Sequence, residues 1–110
     1  MGEHATFEVV TERVLARHPE DQPGRMLQSP GLRTEGSFYA FAPAGALVVK
    51  LPEERVLALI GAGSGEPCSP RPGHPMREWV RIPGPDEDAA LALVLEARAF
   101  VADRVPRGAR

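Results

Sequence analysis

The sequence predicts an α+β domain, an antiparallel sheet with helices over one face, in the order helix, about three strands, short helix, one or two strands, long helix. Residues 6–18 and 86–103 repeat apolar side chains at three- and four-residue steps, the signature of amphipathic helices. Residues 37–51 carry aromatic and aliphatic runs on either side of Pro43-Ala44-Gly45, the pattern of a β-hairpin. Nowhere do strand and helix alternate in the way that builds a parallel sheet.

In the first helix Phe7, Val10, Val14 and His18 share a face, and Pro19 and Pro23 close it. Arg25-Met26-Leu27 and Gly31-Leu32-Arg33-Thr34 read as short strand pieces, interrupted by Ser29-Pro30-Gly31 and turned by Glu35-Gly36. The main hairpin pairs residues 37–42 with 46–51. A three-residue loop sets Tyr39 and Phe41 beside Leu47, Val49 and Leu51 on the core face, leaving Phe38, Ala40, Val48 and Lys50 on the other. A loop one residue longer inverts that assignment, because side chains alternate along a strand.

Pro52 suits the first position of a second helix, and Glu53 and Glu54 complement its positive end. Val56, Leu59 and Ile60 form its inward stripe, and Gly61 and Gly63 end it. The tract 61–75 is loop-like, with one short edge strand near Cys68. Residues 76–82 read as a strand with Met76, Val80 and Ile82 on one side and Arg77, Trp79 and Arg81 on the other. Pro83-Gly84-Pro85 stops it, Asp86 caps the last helix, and Leu91, Val94, Leu95, Arg98 and Val101 trace that helix's face.

The chain of 110 residues corresponds to one domain, with an ordered core over 6–103 and a tail over 104–110. Its 15 acidic and 13 basic side chains give a net charge of −2, which argues against nucleic acid and anionic lipid as partners of the surface as a whole. With a single cysteine no internal disulfide forms, as suits a cytoplasmic protein. No apolar run approaches membrane-spanning length, so no membrane association is expected.

Four segments, in order, carry a family likeness: Arg25-Met26 with Ser29-Pro30-Gly31-Leu32; Gly36-Ser37-Phe38-Tyr39-Ala40-Phe41; Leu47-Val48-Val49-Lys50-Leu51-Pro52; and Gly73-His74-Pro75-Met76-Arg77-Glu78-Trp79-Val80. By these the chain resembles the N-terminal domain of the TfoX/Sxy competence-regulator family and, more distantly, YjbR/MmcQ-like domains. The resemblance implies a two-layer α+β fold in the order α-β-β-β-α-β-β-α, similar to secretion-chaperone-like domains, and no established enzyme activity, and it points to a regulatory module working through protein contact. The YjbR/MmcQ label of DNA binding finds no groove-reading helix here.

The residues singled out for binding are Arg77, Trp79 and Arg81, where guanidinium groups flanking an indole offer stacking and anion contacts, together with His74 and Lys50. Set against this is the simpler expectation that Trp79 is core. The uncovered sheet face, with Phe38, Val48 and Lys50, is the expected contact for a homodimer or a protein partner. An alternative role, a small ligand-binding protein or enzyme, uses the loop around Cys68, His74 and Arg77. A DNA-binding role would draw on Arg25, Arg33, Arg77 and Arg81. Gly61-Ala62-Gly63-Ser64-Gly65 follows a helix and lacks a lysine, so it is a helix cap and not a phosphate loop. The scattered His4, His18 and His74 and the single thiol predict neither metal nor cofactor, and no catalytic residue is assigned.

Overall fold

The computed structural model describes residues 5–26, 28–43, 45–68 and 77–104. They form α1 (Ala5–Arg17), β1 (Gln22–Met26), β2 (Ser29–Thr34), β3 (Ser37–Phe41), β4 (Ala46–Lys50), α2 (Glu53–Gly61), β5 (Glu66–Pro67), β6 (Trp79–Pro83) and α3 (Glu87–Arg104). The fold is α+β: three helices and a six-stranded sheet of order β1-β2-β3-β4-β6-β5, antiparallel at every pairing. Four strands, not the expected three, precede α2. The extra pairing arises because Gln28 takes a left-handed φ of 66° and reverses the chain, so Ser29 and Pro30 lead β2 where an interruption was expected. β1 lies at the sheet edge, where Pro23 is tolerated because no outer neighbour needs its missing N–H.

The helix signals hold with small shifts. Phe7, Val10 and Val14 of α1 are buried, as their spacing predicts, while His18 sits just beyond the helix and its N–H donates to Val14. Pro52 precedes α2 as its N-cap and is not its first helical residue. At the other end Gly63 N–H donates to Ile60 O and Ser64 N–H to Leu59 O, with Gly63 at φ 78°, a Schellman cap that confirms the glycines as a helix stop. Asp86 Oδ1 accepts the Ala89 N–H at 2.8 Å and caps α3.

The hairpin adopts the inverted register. Phe41 pairs with Val48 and Ala40 with Val49, and Ala46 N–H donates to Pro43 O across the turn. Phe41 therefore faces away from Leu47 and Val49, contrary to the expected grouping. Tyr39 keeps its place in the core for a separate reason. The β2–β3 register jumps from Leu32↔Ala40 to Arg33↔Phe38, so Tyr39 is the extra residue of a β-bulge, and Tyr39 and Ala40 both reach the main core.

That core joins Leu32, Tyr39, Ala40, Leu47, Val49, Leu51, Val80 and Ile82 of the sheet side to residues of all three helices, including Val10 and Val14, Val56 and Leu59, and Leu91, Val94 and Val101. The opposite face holds a smaller cluster of Phe41, Val48 and Trp79, with Phe38 and Cys68 packed against it. Phe41 and Trp79 meet edge to face, centroids 5.6 Å apart. Val48 is 2 % exposed and Trp79 8 %, so this face is not the open apolar patch expected for a partner. Phe38 instead settles over two glycines: a Cβ on Gly31 would lie 2.9 Å from Ala40 O and 3.1 Å from the Phe38 ring, and one on Gly24 would lie 3.0 Å from that ring.

Two polar side chains, Asp21 and Thr34, are buried among the described residues, and Asp21 is the charged one. Asp21, 4 % exposed, accepts from Arg98 Nε at 2.6 Å, from Arg98 Nη2 at 3.2 Å and from Tyr39 Oη at 2.8 Å. Arg98 Nη2 also reaches Glu20 at 2.8 Å. Burial pushes the Asp21 carboxyl up, but hydrogen bonds from Arg98, Tyr39 and Thr34 together outweigh it and hold the group below the usual carboxylate range. Burial, then the bond to Asp21, drives the Tyr39 phenol well above its ordinary value, so it stays a neutral donor.

Gly31→Ala should cost about 1–3 kcal/mol in urea unfolding, because the Ala40 carbonyl that blocks the new methyl is backbone and cannot swing aside. Asp21→Asn should cost about 3 kcal/mol by leaving Arg98 buried against a neutral group. The Asp21 pKa is lower folded than unfolded, so its contribution is complete above the unfolded value and drains away as pH falls through the folded one. Acid unfolding below about pH 4 should accordingly be shallower in Asp21→Asn than in the parent chain.

Candidate functional site

Trp79 opens β6 directly across from Lys50 of β4, and the two-residue period sends Trp79 and Arg81 to the same face as Val48 and Lys50. The Lys50 ammonium lies 5.7 Å from the centre of the indole, within cation–π range. Arg81 is opposite Glu66 of β5, and its Nη1 donates to Glu66 Oε1 at 2.7 Å. Arg77 belongs to the turn before β6 and is exposed. Along the expected strip, Trp79 is flanked by Lys50 and Phe41, Arg81 is engaged with Glu66, and Arg77 lies in the turn before the strand and not on it. His74 lies outside the described residues.

Two depressions meet at Arg77 and Trp79. One is an apolar groove of about 180 Å³ between α2 and the β5–β6 edge, walled by Val56, Leu57, Ile60, Pro67, Cys68 and Trp79, with Glu53 and Arg77 at its rim. The other, about 350 Å³ and shallower, is bounded by Lys50, Glu53, Arg77, Glu78 and Trp79. Glu78 is held by Arg104 at 2.7 Å, whereas Lys50 and Arg77 have no carboxylate partner among the described residues. Leu57 is 60 % exposed, the most exposed of the large apolar side chains described. It lies off the inward stripe of α2, and that displacement was the sequence signal for it. The rest of the groove had no such signal, since Pro67, Cys68 and Trp79 reach α2 only through the sheet.

The remaining expected residues are dispersed. Arg25 donates to the Gln28 carbonyl, and Arg33 lies over the Phe38 ring at 5.8 Å, so neither joins Arg77 and Arg81 in one basic patch. Burial pushes the Cys68 thiol up, and the nearby positive charge of Arg81 only partly offsets this, the reverse of an activated nucleophile. Among the described residues no cluster of three or more His, Cys, Asp or Glu is placed to hold a metal ion. No described helix is long and apolar enough to cross a membrane.

No family model, characterised protein or solved structure matches the chain. The chemistry of the site therefore rests on its own geometry. The groove receives an apolar group beside Trp79, and Lys50 and Arg77 offer charge to an anion next to it.

Because its thiol is protonated well past neutrality, Cys68 should react with iodoacetamide more slowly than a free cysteine at pH 7.5. The midpoint of its rate–pH profile should lie above about 8.5, the ordinary thiol value. A midpoint at or below that value would show an activated thiol.

Proposed function

We propose that this chain is a non-enzymatic binding or regulatory module of the TfoX N-terminal type, a two-layer α+β domain that acts through protein–protein contact at the α2 groove. The motif order from Arg25 to Val80 supports the family assignment, and the α+β architecture is consistent with it. The observation that carries the function is Leu57, 60 % exposed at the lip of an apolar groove. Covering a leucine side chain is worth about 1.5–3 kcal/mol, which a docked partner recovers and the isolated chain does not. The contact surface thereby moves from the sheet face, whose Phe41, Val48 and Trp79 are already buried, to the α2 side of the sheet edge.

A photo-crosslinking residue at Ala58, exposed beside Leu57 on α2, tests this in cells that express the chain. A discrete protein adduct should form and should vanish in Leu57→Glu. That substitution should leave stability within about 0.5 kcal/mol, because the side chain is largely in solvent. An adduct indifferent to Leu57→Glu, or none at all in folded protein, would overturn the assignment.

A further inference from the structure

We infer that the α2 groove is bipartite and takes a peptide segment in which an apolar residue stands next to a carboxylate. The inference rests on the binding role assigned to this groove and adds the chemistry of the partner. The apolar groove of Val56, Leu57, Ile60, Pro67 and Cys68 shares Glu53, Arg77 and Trp79 with the depression that Lys50 borders. About 180 Å³ suits a single leucine- or phenylalanine-sized side chain and not a large ligand.

Charge decides the second half of the recognition. Of the cations near Trp79, Arg81 is committed to Glu66, while Lys50 and Arg77 have no carboxylate partner among the described residues. Lys50 is held over the indole face, so its ammonium has a defined position before any partner arrives. Arg77 borders both depressions, where its planar guanidinium can take a carboxylate through paired hydrogen bonds. Glu78 is already neutralised by Arg104, which leaves Glu53 as the opposing charge at the rim. Glu53 disfavours an acidic partner less strongly than Lys50 and Arg77 together favour one.

The probe is a displayed library of random short peptides selected on the intact chain, with enriched peptides synthesised and titrated against the fluorescence of Trp79, the single tryptophan. Enriched sequences should pair an apolar residue with Asp, Glu or a free C-terminal carboxylate, and binding should shift the Trp79 emission. Reversal of charge in the double variant Lys50→Glu, Arg77→Glu should weaken binding about tenfold or more, whereas Arg77→Lys, which keeps the charge and loses the paired hydrogen bonds, should weaken it by less. Binding that Leu57→Glu abolishes but charge reversal leaves intact would overturn the acidic partner while keeping the groove as a docking site. Peptides indifferent to Leu57→Glu, or no enrichment, would overturn the groove itself. Self-association in light scattering that Leu57→Glu removes, and that outcompetes the selected peptides, would identify a second copy as the occupant and overturn the peptide assignment.

Discussion

The fold depends on one buried carboxylate. Asp21 lies in the connection between α1 and β1, Tyr39 in the bulge of β3, and Arg98 midway along α3, so a single hydrogen-bonded group ties three distant stretches of chain together. An ionised group at 4 % exposure is tolerated only when its partners replace the water it has lost. Asp21 has such partners: the fork of Arg98, the phenol of Tyr39 and the hydroxyl of Thr34 converge on it. Geometry of that kind is demanding, and it sets the position of α3 over the sheet more narrowly than apolar contact alone would.

The bulge at Tyr39 is the complement of this constraint. Without the extra residue, strict alternation would send Tyr39 and Ala40 to opposite faces. With it, Tyr39 reaches Asp21 while Phe38 and Phe41 are both turned to the other face, where Phe41 meets Trp79 and Phe38 covers the glycines of β1 and β2. Both faces of the sheet consequently carry apolar clusters, a large one shared with the helices and a small one built on Phe41, Val48 and Trp79. This arrangement buries Phe41, Val48 and Trp79 on the face where an association surface was expected, and Leu57, on the α2 side of the β5–β6 edge, is the most exposed large apolar side chain among the described residues.

Among the described residues β5 comprises Glu66 and Pro67, and Leu57 of α2 lines the groove together with Pro67, Cys68 and Trp79. Strand pairing sets two of the cations beside it, Lys50 opposite Trp79 and Arg81 opposite Glu66, which engages one guanidinium internally, while Arg77 lies exposed in the turn before β6. The same few residues thus supply both the apolar and the charged parts of the surface.

Local signals in the sequence determined the helices, their caps and the presence of the main hairpin, because each depends on residues only a few positions apart. Asp86, Gly63 and the spacing of Phe7, Val10 and Val14 act through the next turn of backbone and were legible for that reason. Trp79 and Lys50 were also legible as residues of interest, since an indole and the only lysine stand out by type. Tertiary structure alone decided the register of the hairpin, the fourth strand before α2, the pairing of Asp21 with Arg98 across 77 positions of sequence, and the groove that joins α2 to Trp79. One inserted residue reverses every side chain beyond it, and a buried carboxylate accepts whichever donors the packed chain delivers. Neither outcome is encoded within a short window, and so neither could be read before the chain was folded.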